Sequence, residues 1–476
     1  MSTAKNLLII MSDEHRRDAM GLMGNPPIQT PHLDALGAGG AVFKNAYTPS
    51  PMCVPARAAI ACGDYVHRIR YWDSATPYDG RRPSWMHALR DAGVEVVSIG
   101  KLHFRSTDDD NGFSREILSM HVVDGVGWPP GLLRKSPPAY DAAEELARDV
   151  GTGESDYTRY DRAVTQAAVN WLTNQARKSE RWAAFVSLVS PHYPLTAPES
   201  FAALYDPASI DPPIAHAKGA RPRHAELDRI AAFYDYDRYF DKEGVLRARA
   251  AYYGLVSFMD ACVGQILSAL KVSGQANETL VVYVSDHGDM LGDHGFWTKQ
   301  VMYEGSAGVP MILSGPCVKA GRRVSTAVSL LDLAPTATEA VAGEAWDGPG
   351  NSLIAIASDD NNPDRTVFSE YHDGGSTTGT FMVRWRNWKY VHYVSEAPQL
   401  FDLVKDPREL NDLGCSEATT AREARAEGEK RLRLICDPDA VNERCFQDQE
   451  RRIEELGGEA ACRGLRAFNH TPAPKI

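Results

Sequence analysis

The chain has 476 residues, 43% hydrophobic and 24% charged, enough for one large α/β domain with a smaller partner and a sizeable core. Its net charge of −12 excludes a general nucleic-acid binder, since such proteins carry a basic face against phosphates; an anionic substrate would have to meet positive charge that is local. No apolar run approaches the roughly 20 residues that span a bilayer, so no membrane partner is expected. The eight cysteines are scattered without the spacing of a disulfide framework, which makes Cys62, Cys262 and Cys317 buried thiols by expectation. In MSTAKNLLIIMSDEHRRD only Leu7 to Met11 is apolar before acid follows, unlike a signal peptide, and the expectation is a cytoplasmic protein.

In chain order, Leu7–Met11 reads as a short buried parallel strand. A helix should begin with Pro55 as its first residue and run through Ala56, Ala58, Ala59 and Ile60. A second helix is expected over Ser84–Ala92, closed by Gly93, and then a strand at Val94–Ile99. Ala184–Val189 and Leu280–Val284 read as two more buried strands, and the apolar spacing of Leu246–Lys271 as a long helix between them. Phe381–Val394 alternates as an antiparallel pair does, with Arg386-Asn387 as the turn, and the charged stretch from Ala418 is helix-prone before the extended FNHTPAPKI. This order predicts an α/β protein: a large mixed, mostly parallel sheet sandwiched by helices over residues 1–365. A smaller C-terminal α+β domain with an antiparallel sheet would occupy 366–476, its tail embracing a neighbouring subunit in a dimer or tetramer.

The residues just past each strand carry the chemistry. After Leu7–Met11 comes Ser12-Asp13-Glu14; after Val94–Ile99, Gly100-Lys101-Leu102-His103; after Ala184–Val189, Ser190-Pro191-His192; after Leu280–Val284, Ser285-Asp286-His287. In an open parallel sheet, ligands bind outside the carboxyl ends of the strands, so these tails should converge. Singly each has a plain reading: an acid after a strand is commonly a helix cap, and a lone histidine a hydrogen-bonded loop residue. Four on one edge point to a shared site.

Cys53 stands at the predicted helix mouth, where backbone N–H groups and the dipole favour negative charge. It lies in the spacing Cys-x-Pro-x-Arg, formed by Cys53, Pro55 and Arg57. Here the chain resembles the sulfatase family of the alkaline phosphatase superfamily, in which the first residue of that motif is oxidised to Cα-formylglycine by a maturation enzyme. The resemblance continues through NLLIIMSDEHRRD, SIGKLHF, SPHYPL, YVSDHGDMLGDHGFWTKQVMYE and LFDLVKDPRELNDL, and covers most of residues 5 to 413. RYWDSATPYDGRRPSWMHALRDAG, VGWPP and the Asp286-His287 pair look most like choline sulfatases and phosphonate monoester hydrolases.

The resemblance implies hydrolysis of a sulfate monoester, of aryl sulfate or choline sulfate type, by a hydrated aldehyde at position 53 whose sulfated form collapses to release sulfate. It further implies one divalent metal ion, Ca²⁺ before Mn²⁺, held by Asp13, Asp286, His287 and the diol of residue 53; Glu14 departs from the Asp or Gln usual at its position. Arg57 and Lys101 would steady the sulfate, His103 would act as base, and His192 and Lys299 would face the ester oxygen, His192 being our choice for proton donor. Trp72 and Trp128 are available for a cage around a quaternary ammonium, whereas Trp85 is expected in the core. His294 and Asp260 are assigned structural roles. A phosphonate monoester or phosphodiester hydrolase with the same machinery is the alternative. A thiol phosphatase is set aside because its Cys-x5-Arg spacing does not match, only three residues separating Cys53 from Arg57. A catalytically silent metal-binding scaffold is disfavoured by the full set of charged groups.

Overall fold

The computed structural model describes residues 4–24, 28–140, 142–177, 180–465 and 470–475. Eight strands form the main sheet: β1 (Asn6–Asp13), β2 (Ala41–Phe43), β3 (Glu95–Lys101), β4 (Arg115–Met120), β5 (Trp182–Pro191), β6 (Thr279–Ser285), β7 (Met311–Ser314) and β8 (Arg322–Val324). Their order is β8-β2-β7-β6-β1-β5-β3-β4, and only β7 runs against its neighbours. All four expected strands are present, each extended by one or more residues toward the edge that bears the charged tails.

The sheet is covered on both faces, as its continuous apolar strands require. β1 sends Leu8 and Ile10 into one core and Leu7, Ile9 and Met11 into the other. On the first face lie α4 (Asp156–Asn170) and the 31-residue α5 (Lys242–Val272); on the second lie α2 (Cys53–Cys62) and α3 (Trp85–Asp91), with α1 (Pro31–Ala38) packed against α5 and β7. α5 is long and apolar enough by length and composition to cross a bilayer, but here it packs against α1, α4 and β5 as a core helix. Asp260 on α5 accepts the His32 and Leu33 amides at 3.1 and 2.8 Å, so it serves the start of α1 rather than a metal.

α2 begins two residues earlier than expected. Cys53 is its first residue and Pro55 its third, a position still inside the first turn where a missing N–H costs nothing. Gly63 ends it at φ 58°, in the left-handed region, and donates to the Ala59 carbonyl.

A four-stranded antiparallel meander comes next: β9 (Val367–Tyr371), β10 (Thr380–Trp385), β11 (Trp388–Tyr393) and β12 (Gln399–Asp402), with Arg386-Asn387 as the β10–β11 turn. Three helices follow among the described residues, α6 (Thr419–Ile435), which packs on β10 and β11, α7 (Pro438–Glu455) and the short α8 (Glu459–Gly464). The C-terminal segment touches its own chain at two points. Arg463 donates to the Ser136 carbonyl at 2.7 Å, and Tyr157 of α4 donates to the Thr471 carbonyl at 2.6 Å, so His470 and Thr471 return to their own chain. Phe468, Asn469 and Ile476 of the predicted extended segment lie outside the described residues.

Candidate active site

β6, β1, β5 and β3 are consecutive and parallel, so their carboxyl ends present Asp286-His287, Asp13-Glu14, His192 and Lys101-Leu102-His103 side by side. α2 brings Cys53 to the same place: its Sγ lies 3.0 Å from His287 Nε2 and 3.7 Å from Asp13 Oδ1. Asp13, Cys53, Asp286 and His287, all buried, offer one ligand atom each within 4.8 Å of one another. His287 Nδ1 donates to the Gly288 carbonyl at 3.0 Å, which leaves the Nε2 lone pair facing the cluster, 3.7 Å from Oδ1 of both aspartates. Two carboxylates, an imidazole lone pair and the atom at position 53 form a mostly hard, negatively charged donor set that fits one divalent cation.

Behind this set stand its orienting cations. Arg57 donates to Asp286 Oδ2 at 2.7 Å, Asp13 Oδ2 at 3.0 Å, the Lys101 carbonyl at 2.8 Å and Ser187 Oγ at 3.0 Å. At 3% exposure and one turn into α2, Arg57 locks the far oxygens of both carboxylates. Lys101 is likewise drawn back, fully buried with Nζ 2.7 Å from Asp13 Oδ2, rather than on the cleft wall. Burial alone would raise the Asp13 pKa, but Lys101 and Arg57 outweigh it and hold the carboxyl well below the usual range.

In front lies a cavity of about 80 Å³, whose wall includes Cys53, His103, His192, Lys299 and Trp128. His192 Nδ1 meets the Tyr193 carbonyl at 2.7 Å; a carbonyl only accepts, so the proton sits on Nδ1 and Nε2 accepts from Lys299 Nζ at 3.0 Å. Lys299 also pairs with Glu14 Oε2 at 3.1 Å, and Nε2 of His192 is 3.3 Å from that oxygen. Burial opposes the Lys299 charge, yet the carboxylates around it, Glu14, Asp13 and Asp286, hold the ammonium well above its usual pKa, while burial and Lys299 hold His192 well below its own. Glu14, at φ 66°, lies outside the four-donor cluster and pairs with Lys299, while its carboxylate forms with Asp13 and His192 a second group of donor atoms within 4.8 Å of one another. His103 borders the cavity with both ring nitrogens unpartnered, and burial with Lys101 and Arg57 keeps it neutral.

Trp72 is not part of the site. It is 1% exposed, donates to Asp448 of α7 at 2.9 Å and stands edge-on to His372 at 5.2 Å, so it joins the core. His294 donates through Nε2 to the Arg408 carbonyl at 3.0 Å and stacks on Tyr303 at 4.2 Å, a loop histidine as expected. The cleft also uses residues that sequence reasoning missed: Tyr140, Tyr193, Tyr234, and His470 with Thr471 from the returning tail. Tyr193 could have been found in SPHYPL beside His192; the others sit in segments with no strand-end signal.

The profile of the family described as Sulfatase matches residues 5–343, and that described as N-sulphoglucosamine sulphohydrolase, C-terminal, matches residues 292–433. The chain belongs to the sulfatase family and is a sulfuric ester hydrolase. It is 32% identical over 427 residues to a choline-sulfatase of Rhizobium meliloti (strain 1021), covering 87% of this chain and 83% of that one. It is 31% identical over 464 residues to arylsulfatase K of Danio rerio, covering 92% and 84%. In fold it is similar to a phosphonate monoester hydrolase of Agrobacterium radiobacter, with a TM-score of 0.72 at 22% identity, covering 90% of this chain and 95% of that one.

Proposed function

We propose that this enzyme hydrolyses the sulfate monoester of a small cationic alcohol, choline sulfate or a near relative, with aryl sulfates as poorer substrates. The observation that carries the reading is the aromatic part of the cleft: Trp128 stands edge-on to Tyr140 at 6.0 Å, and Tyr140 edge-on to Tyr234 at 4.8 Å. Behind Ser74 on the same wall, Asp373 Oδ2 accepts from the Ser74 hydroxyl at 2.5 Å and its amide at 2.8 Å. Ring faces backed by a buried carboxylate suit a quaternary ammonium, worth roughly 1–2 kcal/mol when desolvated, and the small cavity suits a compact alcohol.

A divalent cation, calcium before manganese, together with a hydrated formylglycine at position 53, would supply an acidified hydroxyl nucleophile and Lewis-acid stabilisation of the ester oxygens. Asp13, Asp286 and His287 would hold that cation, with Arg57 aiming both carboxylates and Lys101 paired with Asp13. Lys299 has three N–H donors; Glu14 and His192 take two, which leaves one for the bridging ester oxygen. This supports Lys299, rather than His192, as the group nearest the departing alcohol with a proton to give, and His192 as its orienting acceptor. His103, neutral and without a partner, suits the base that regenerates the aldehyde. Cys53 is 5% exposed in the folded chain, so a maturation enzyme would have to act before folding closes over α2.

Choline sulfate is expected to exceed 4-nitrophenyl sulfate in kcat/KM. Burial and the neighbouring Asp73 push Asp373 up to about 6. Below that pH the acid is neutral; above it the carboxylate attracts the ammonium. The ratio of kcat/KM for choline sulfate over 4-nitrophenyl sulfate should therefore rise several-fold from about pH 5 to about pH 7.5. A flat ratio, or choline sulfate turned over no faster than the aryl ester, contradicts the cationic-alcohol reading. A phosphonate monoester hydrolysed faster than either would assign the site to the alternative activity.

A further inference from the structure

We propose that Asp161 is a positioning residue for the His192–Lys299 pair; the inference rests on the reading of that pair as the leaving-group acid. Asp161 sits in the middle of α4, fully buried, where an aspartate has low helix propensity and a charge is costly to desolvate. Its two oxygens accept successive amides of β5, Val189 N and Ser190 N, at 2.7 Å each.

Those amides are free because the ladder breaks there. β1 and β5 pair residue by residue up to Met11↔Ser187, and the next pair is Asp13↔Pro191: two steps along β1 against four along β5. The surplus residues bulge out of the β1–β5 pairing within β5, and the Asp161 carboxylate accepts their amides in place of β1. Directly beyond, His192 N donates to the Val189 carbonyl at 3.0 Å, closing a turn on the residue that Asp161 holds. The turn fixes where the His192 ring emerges, and the Tyr193 carbonyl then sets its orientation and tautomer, so that Nε2 meets Lys299. One helix turn before Asp161, Tyr157 stands edge-on to the His192 ring at 5.8 Å, so α4 supports the imidazole at two points. Two charge-assisted hydrogen bonds of this kind define a loop more tightly than neutral ones.

Asp161→Asn keeps shape but offers one acceptor and one donor to two N–H groups, so one amide faces an NH₂ group. The test compares kcat/KM of wild type and variant on choline sulfate, whose alkoxide needs a proton on departure, and on 4-nitrophenyl sulfate, whose phenolate does not. Misplacement of the acid should lower the choline sulfate value by about 10- to 100-fold and the aryl value by about threefold or less. Equal loss on both esters, or no loss on either, overturns the proposal. Should Asp161→Asn not fold, Asp161→Ser, whose hydroxyl accepts one amide, carries the same comparison; failure of both to fold makes Asp161 a fold determinant and also overturns it. A wild type inactive on both esters would instead sink the functional reading on which the proposal rests.

Discussion

Cys53→Ala should lower kcat by at least about 10⁴-fold on any sulfate ester while leaving the fold intact. The two halves of that expectation have separate physical grounds. Activity is lost because nothing else among the described residues places a convertible atom inside the Asp13, Asp286 and His287 cluster. The fold survives because alanine is a stronger helix former at the first position of α2, and the sulfur removed leaves a gap costing about 1 kcal/mol. Burial, with Asp13 beside it, pushes the Cys53 thiol up to about 12. Steady-state rates with circular dichroism and a melting curve check both halves, and a variant that folds and retains turnover would contradict the site assignment.

Asp13→Asn is expected to cost both catalysis and stability. One carboxylate oxygen belongs to the donor cluster; the other lies 2.7 Å from Lys101 Nζ and 3.0 Å from Arg57 Nη2, with all three side chains almost fully buried. Removing its charge leaves two buried cations short of a partner and the cation site short of a negative ligand. Breaking a buried pair in this way costs roughly 3–5 kcal/mol, and the loss of an aimed ligand should lower kcat by about 10³-fold or more. Urea unfolding, metal content by mass spectrometry and rates after chelation measure the three consequences. Wild type should lose activity on chelation and recover it with calcium, whereas the variant should bind metal poorly at any calcium concentration. A variant as stable and as metal-loaded as wild type would show that Asp13 is neither ligand nor counter-ion.

The part of this site legible in the sequence is the part written at strand ends. Leu7–Met11 and Leu280–Val284 are continuous apolar runs that only a sheet covered on both faces accommodates, and the polar residues after them had to emerge together at one edge. Arg57 was visible as part of a motif, but its direction was not: the choice between sulfate and the two aspartates depends on how α2 packs over β1, a tertiary fact. Trp72 and Trp128 look alike in sequence, and only the return of α7, with Asp448 under the Trp72 indole, separates core from cleft. Asp161 lies mid-helix without periodic signal because its role depends on a local break in strand pairing. His470 and Thr471 reach the cleft through a tail with no strand-end or helical signal, and the Tyr157 hydroxyl that holds it comes from a segment more than three hundred residues away.

Whether catalysis runs on a carbonyl made from Cys53 is decided by mass spectrometry of the peptide containing that residue, taken from purified enzyme of known specific activity. The expected species carries an aldehyde in place of the thiol, in a fraction that scales with activity from one preparation to another. Fully active enzyme carrying only the thiol form would contradict that chemistry.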